Sequence, residues 1–387
     1  MKPSVSPRLP GLDTLRALAI VAVMLFHLWL LLPTSLFPAA RFGWMGVDLF
    51  FVLSGYLIGL QVLRPYTRGE RPSLLEFYRR RIYRILPAYL FVLCLYFTVS
   101  GWRESEGISP LWQFLTFTEN LFVDYSVHQA FSHVWSLCVE EHFYLVLPLL
   151  VLWMMRKPSF RRTATVLGLV VFFGMAVRAY VLIHTLRPLG LDDFPLAYIE
   201  DIYYPSYTRL DGLLVGVTLA LLQRFRPEWW ASAMQRGHLM LMSGVALIGT
   251  AVWLFADRFS SLTGVAAWGT VIGFPVLSLG LGLLVASSVS RNGLLSRFRV
   301  PGASLLATLA FSLYLIHKEI VHLDRRFFPV LTAGRDAKAM LVYGISCVVA
   351  AAILHLGVER PFLQLRDRAE RPATQTIERQ MRDELAL

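Results

Sequence analysis

Apolar stretches of membrane-spanning length recur along this chain, and nothing else in the sequence limits its fold as much. A helix rises about 1.5 Å per residue and needs about 20 apolar residues to cross a hydrocarbon layer roughly 30 Å thick. Windows of that kind fall at 14–33, 43–63, 82–100, 132–155, 163–185, 207–223, 239–256, 264–289, 304–323 and 339–358. Composition agrees: 56% of the 387 residues are hydrophobic and 16% charged, where a soluble domain carries about 25% charged residues. The expected fold is all-α, a polytopic membrane helix bundle of about ten transmembrane helices. One membrane domain is expected over residues 1–360 and a solvated cytoplasmic tail over 361–387, whose TIERQMRDEL is charged on nearly all sides and should fray as a helix.

The first window is too long and too polar at its ends for a cleaved leader, so it is expected to be the first span. Leu111 to Val123 is apolar but short and holds Glu119 and Asn120, which predicts an interfacial or re-entrant segment. With both termini cytoplasmic, the inner segments and their helix ends hold 25 Lys/Arg and the outer ones 9. That asymmetry sets the expected orientation in the cell (inner or plasma) membrane. The net charge of +11 is then a topology signal with anionic lipid headgroups of the bilayer as counter-charge, and no nucleic-acid partner is needed. Cys94, Cys138 and Cys347 lie in apolar runs without CxxC or Cys/His spacing, so neither a disulfide nor a metal site is expected. Nothing in the sequence fixes an oligomeric state.

A charge inside a span costs at least a few kcal/mol and calls for a partner, a wet cavity or a function. Within the windows these residues are Arg16, Asp48, Glu140, Glu141, Arg178, Arg209 and Asp211, joined by His27 and His317. Arg16 and His27 stand eleven residues apart, which returns to the same helical face within about 20°, and Asp13 lies on that stripe. His27 falls in the outer half of the first span. In SHVWSLCVEEHFYLVLPL the positions 133, 136, 140 and 144 share a face, which groups Ser136, Glu140 and Tyr144 below His133. Asp48, Arg209 and Asp211 fall near the outer ends of their windows, and His317 about 20 Å into the ninth. On residue type alone a membrane histidine is more often a hydrogen-bonded packing residue than a catalyst, and Arg16 could equally snorkel to headgroups. Arg209 and Asp211 could pair across helices, a structural role is expected for Glu141 and Arg178, and Gly46, Gly55, Gly212 and Gly216 should permit close helix packing.

FYRRRIYRILP sets Arg79, Arg80, Arg81 and Arg84 at the entrance of the third window. Charge alone reads this as a topology anchor. Guanidinium groups at i and i+3 also match a multiply charged phosphate ligand.

Taken in order, LDTLRALAIVAVMLFH, GVDLFFVLSGYLI, RRRIYRILPAY, HVWSLCVEEHFYLVLPL, YTRLDGLLVG and FSLYLIHKEI resemble the acyltransferase-3 family of integral membrane O-acyltransferases, which acylate cell-surface carbohydrates and some antibiotics. The resemblance covers nearly the whole chain. It implies that Arg16 and His27 are the paired catalytic-motif residues, that Arg81 and Arg84 are the cytoplasmic arginines associated with the acyl donor, and that Trp135 and Glu140 match the family's tryptophan and glutamate motif. Many relatives add an extracytoplasmic esterase-like domain after the last span; transfer here is expected to be complete without one.

Acyl transfer from a thioester to an alcohol needs a base and a group to hold the developing oxyanion. His27 suits the base, since an imidazole titrates near working pH, with Glu140 or Asp48 as its orienting partner. Cytoplasmic acyl-CoA, acetyl-CoA above all, is the expected donor, with phosphates at Arg81 and Arg84 and its pantetheine arm reaching toward His27 past Arg16. The expected acceptor is a hydroxyl of a carbohydrate or lipid-linked sugar at the outer face. The competing classes are a carrier or flippase that performs no acyl transfer, for which an internal repeat would speak, and a structural membrane subunit whose charges serve packing alone.

Overall fold

Backbone groups in hydrocarbon must bond to one another, and the described residues accordingly form helix after helix, with no named strand among them. The computed structural model describes residues 9–31, 38–70, 72–99, 101–189, 193–256, 265–290, 292–334 and 336–368. In chain order the α-helices are α1 (Pro10–Leu31), α2 (Met45–Leu63), α3 (Leu74–Thr98), α4 (Leu111–Leu115), α5 (Glu119–Phe122), α6 (Trp135–Met155), α7 (Phe160–Val181), α8 (Phe194–Tyr198), α9 (Asp211–Phe225), α10 (Pro227–Met234), α11 (Gly237–Leu254), α12 (Val265–Val289), α13 (Leu294–Arg297), α14 (Ala303–Phe327), α15 (Pro329–Thr332) and α16 (Ala337–Leu354). Nine helices among the described residues are long and apolar enough to cross a membrane. The chain is a multi-pass helical membrane protein.

Nine of the ten sequence windows hold one of these long helices. The window at 207–223 instead holds α9, which has 15 residues and starts only at Asp211. A 3-10 turn at Ser206–Thr208 takes up the first residues of that window. At about 22 Å, α9 is short for a span, and about half of its residues are buried by protein. Between 111 and 123 lie two short helices, α4 and α5, of five and four residues, too short to cross a bilayer.

The chain divides into two compact units, Met1–Pro72 with Glu104–Thr308, and Ser73–Arg103 with Leu309–Leu387. In the first, α2 and α9 approach at glycine. A Cβ on Gly55 would lie 2.1 Å from the Leu213 carbonyl oxygen, and one on Gly216 would lie 2.2 Å from that of Val52. Only a missing side chain allows backbones this close. Gly46 does the same for α1 against α2, its hypothetical Cβ standing 2.5 Å from the Ala19 oxygen.

In the second unit, α3 is capped by Ser73, whose hydroxyl accepts the Glu76 amide at 3.2 Å, as expected of a helix N-cap. After α16 a π-turn covers His355–Glu359, and the Ser312 hydroxyl donates to Glu359 Oε2 at 3.0 Å. Helix continues through residue 368, so the expected boundary at 360 falls inside a helix. The expected fraying of TIERQMRDEL concerns positions outside the described residues.

Candidate active site

The α1 helix runs unbroken from Pro10 to Leu31, so the eleven-residue step from Arg16 to His27 amounts to three turns and about 16 Å. Arg16 lies 3.8 Å from Asp13 in an i, i+3 ion pair, so the whole predicted stripe of Asp13, Arg16 and His27 is carried by one helix. His27 is half-buried. Its ring stands 6.3 Å from that of His133, centroid to centroid, with the planes at 64°, and 5.6 Å from the ring of Phe26.

His133 is buried and sits in a 3-10 turn, Ser132–Val134, that precedes α6. The helical continuity expected from 133 to 136 is thus replaced by a tighter turn. Phe131 before it takes a left-handed φ of 58°, a conformation that costs an aromatic residue energy and needs support from its surroundings. That support is specific. The Phe131 amide donates to Glu104 Oε1 at 3.1 Å, and the Ala130 amide donates to the Gly107 carbonyl at 2.9 Å. Gly107 has no room for a side chain, since a Cβ there would meet Val127 O at 1.6 Å. A carboxylate oxygen of Glu104 also lies within 4.8 Å of a His133 ring nitrogen.

Further along α6, Glu140 accepts from the Ser54 hydroxyl at 3.2 Å and from the Tyr144 hydroxyl one turn on, while the Ser54 and Tyr144 hydroxyls also contact each other. The i, i+4 relation of 140 and 144 is therefore realised. Ser136 is buried on the same helix. Ser54 was not singled out from sequence, although it is a polar residue within GVDLFFVLSGYLI.

Two buried ion pairs flank the start of α9. Arg209 donates to Asp48 Oδ1 at 2.8 Å, and Arg178 donates to Asp211 Oδ2 at 2.7 Å and to the Thr208 carbonyl. The Arg209 guanidinium also lies over Phe274, Tyr203 and Trp135, at 4.0, 4.4 and 5.3 Å from the ring centroids, as a cation does on aromatic faces. Asp48, Arg178, Arg209 and Asp211 are thus joined in two buried ion pairs.

Trp135 stacks on Tyr204 at 5.1 Å with planes 11° apart. Asn120 donates to the Tyr204 carbonyl at 3.1 Å and to the Ser206 hydroxyl at 2.9 Å, and His142 Nδ1 meets the same hydroxyl at 2.7 Å. The Tyr125 amide donates to Glu200 Oε1 at 2.5 Å. Burial pushes the Glu200 carboxyl above its ordinary range; the Tyr125 amide acts the other way, and Asp124 and Asp201 add to the rise. Burial also holds the Tyr204 hydroxyl well above its usual value. This shelf, built from hydrogen-bonded residues 64 to 86 positions apart, was not visible in sequence.

In the second unit, Arg81 is half-buried and Arg84 exposed, one turn apart on α3, with Arg80 paired to Glu76 one turn back. His317 Nδ1 donates to the carbonyls of Leu313 and Tyr314 at 3.0 and 2.9 Å. Its ring is thus fixed by its own helix.

The site therefore gathers a half-buried imidazole, a second imidazole, a carboxylate network and two neutralised ion pairs inside a multi-pass helical membrane protein. By comparison of sequences the chain belongs to the acyltransferase-3 family, whose model, an acyltransferase domain, matches residues 9–355. It is similar to the O-acetyltransferase OatA of Staphylococcus aureus, 27% identical over 343 residues that make up 82% of this chain and 51% of that protein. It is also similar to the putative O-acetyltransferase SACOL0978 of the same species, 25% identical over 376 residues, which cover 92% of this chain and 57% of the relative. The chain spans about half the length of these curated relatives. No solved structure matches it.

Proposed function

We propose that this chain is an O-acyltransferase that moves an acyl group, acetyl above all, from cytoplasmic acyl-CoA to a hydroxyl of a carbohydrate or lipid-linked sugar at the outer face of the cell membrane. The observation that carries the reading is the imidazole of His27, half-buried late in α1, in a chain of the acyltransferase-3 family. A neutral imidazole there takes the proton of the acceptor hydroxyl as its oxygen attacks the thioester carbonyl, and returns it to the leaving thiolate. Arg16, about three turns away on the same face, meets the pantetheine arm or a phosphate. Arg81 and Arg84 hold the donor phosphates, a task for which a guanidinium fork is better suited than an ammonium. Trp135, Ser136, Glu140 and Tyr144 form the acceptor side of the site.

The test uses purified full-length protein with acetyl-CoA, scoring acetyl transfer to material extracted from the parent membranes. His27→Ala should lower turnover by more than about a hundredfold, the lower end for a positioned base, with insertion and thermal stability close to the parent's. A folded His27→Ala protein that still transfers acetyl would overturn the reading.

A further inference from the structure

We propose that His133 and Glu104 are positioning residues for His27, together making a carboxylate–imidazole–imidazole array. The proposal rests on the reading of His27 as the base and deepens it. Its grounds are spatial. His133 is buried, its ring is T-shaped to His27 at 6.3 Å and also T-shaped to Phe131 at 5.3 Å, and one of its nitrogens lies within 4.8 Å of a Glu104 oxygen.

The loop that presents His133 is fixed more tightly than packing alone requires. Phe131 pays for a left-handed backbone, and the group that accepts its amide is Glu104 itself. Glu104 thus holds the backbone before His133 and also lies beside its ring. A carboxylate within 4.8 Å of the ring acts on it through its charge and favours an imidazole whose N–H is turned toward it. Here the oriented ring is one contact removed from the base, and it holds His27 in turn by an edge-to-face contact.

In the transfer step, the acceptor O–H proton moves to His27, the acceptor oxygen bonds the acyl carbon, the C–S bond breaks and the proton passes to the departing thiolate. His133 and Glu104 exchange no proton. Their part is to keep the His27 ring at one angle and to lower the cost of its transient positive charge, to which the nearby carboxylate is attracted.

The experiment compares the parent with His133→Asn, Glu104→Gln and the double variant, all as purified full-length protein of confirmed fold. Glutamine keeps an acceptor for the Phe131 amide, so the loop is spared while the charge is removed. Two quantities are read: turnover and acetyl-CoA KM, and the rate at which diethyl pyrocarbonate carbethoxylates His27, followed by peptide mass spectrometry. Each single variant should lose about tenfold or more in turnover, as orienting partners of a base do, with donor KM nearly constant. His27 carbethoxylation should change by about threefold or more, as a shift of half a pKa unit in its surroundings would give. The double variant should be no worse than His133→Asn alone, since Glu104 acts through that ring. Parent-like carbethoxylation in both single variants, or simple additivity in the double, overturns the proposal. Because carbethoxylation does not depend on turnover, this outcome is distinct from failure of His27 as the base.

Discussion

Around the start of α9, full charges are closed off in pairs: Asp48 with Arg209 and Arg178 with Asp211, all almost wholly buried. Late in α1 and in the loop before α6, the polar groups are two imidazoles and the Glu104 carboxylate, held by ring contacts and a backbone amide. A permanent charge in a dry interior costs several kcal/mol unless it is matched. An imidazole enters the same interior neutral and can still change charge near pH 7. On the proposed reading, the two closed pairs at the start of α9 serve the architecture, while the titratable rings late in α1 and before α6 stand where a proton can move.

The sharpest way to break this comparison is to open one of the closed pairs. Asp48→Ala leaves the Arg209 guanidinium buried against Phe274, Tyr203 and Trp135 without its carboxylate, and should cost about 3–5 kcal/mol of stability, as loss of one member of a buried pair does. Asp48→Asn combined with Arg209→Gln removes both charges and should recover much of that loss. Thermal unfolding in detergent checks both variants. If Asp48→Ala is as stable as the parent but loses turnover at once, the pair belongs to the chemistry and the division drawn above fails.

How far the sequence carried is explained by the same contrast. Helix number and type follow from long apolar windows, because hydrocarbon leaves few other options. The window at 207–223 misled by a few residues, since its first part is a 3-10 turn that hydropathy cannot distinguish from helix. Arg16, His27, Glu140 and Tyr144 were legible because helical periodicity relates residues on one helix. The partners Ser54, Glu104 and Tyr204 were not, since they reach their contacts from loops and helices tens of residues away, where periodicity has nothing to say. His133 stood in plain view as the start of a motif, but its contact with His27 depends on the left-handed turn at Phe131.

A smaller effect is expected at Glu140, whose carboxylate accepts from Ser54 and Tyr144. Glu140→Gln keeps one acceptor oxygen and the side-chain volume, so the fold should survive. If the carboxylate orients the acceptor or the base, turnover should fall by about tenfold with donor KM little changed, the pattern of an interaction that strengthens only in the transition state. Glu141→Gln, about 100° around α6, should be tolerated much better. Steady-state kinetics on both proteins would reverse the assignment if Glu141 proved the sensitive position, and Glu140 would then join the architectural group.

The smallest effect is expected at Glu200, which belongs to neither group: its carboxylate faces no cation among its described contacts, accepts the Tyr125 amide and is pushed upward chiefly by burial. Because its folded pKa is raised, the fold favours the protonated form. The stabilising contribution is complete below the unfolded glutamate value and is lost as the pH rises through the raised folded value. Glu200→Gln cannot ionise, so it should match the parent in acid and become the more stable of the two as the pH passes that window. Glu200 is only half-buried, so the difference should stay near the scale of ordinary surface substitutions, about 0.5 kcal/mol. Thermal unfolding of both proteins from about pH 4 to 8 spans the range in which a raised carboxyl titrates. Should the Gln variant instead be less stable than the parent at the alkaline end, the ionised carboxylate gains more from the Tyr125 amide than it loses by burial. Glu200 would then belong with the closed pairs at α9, as a charge whose matching partner is a backbone N–H.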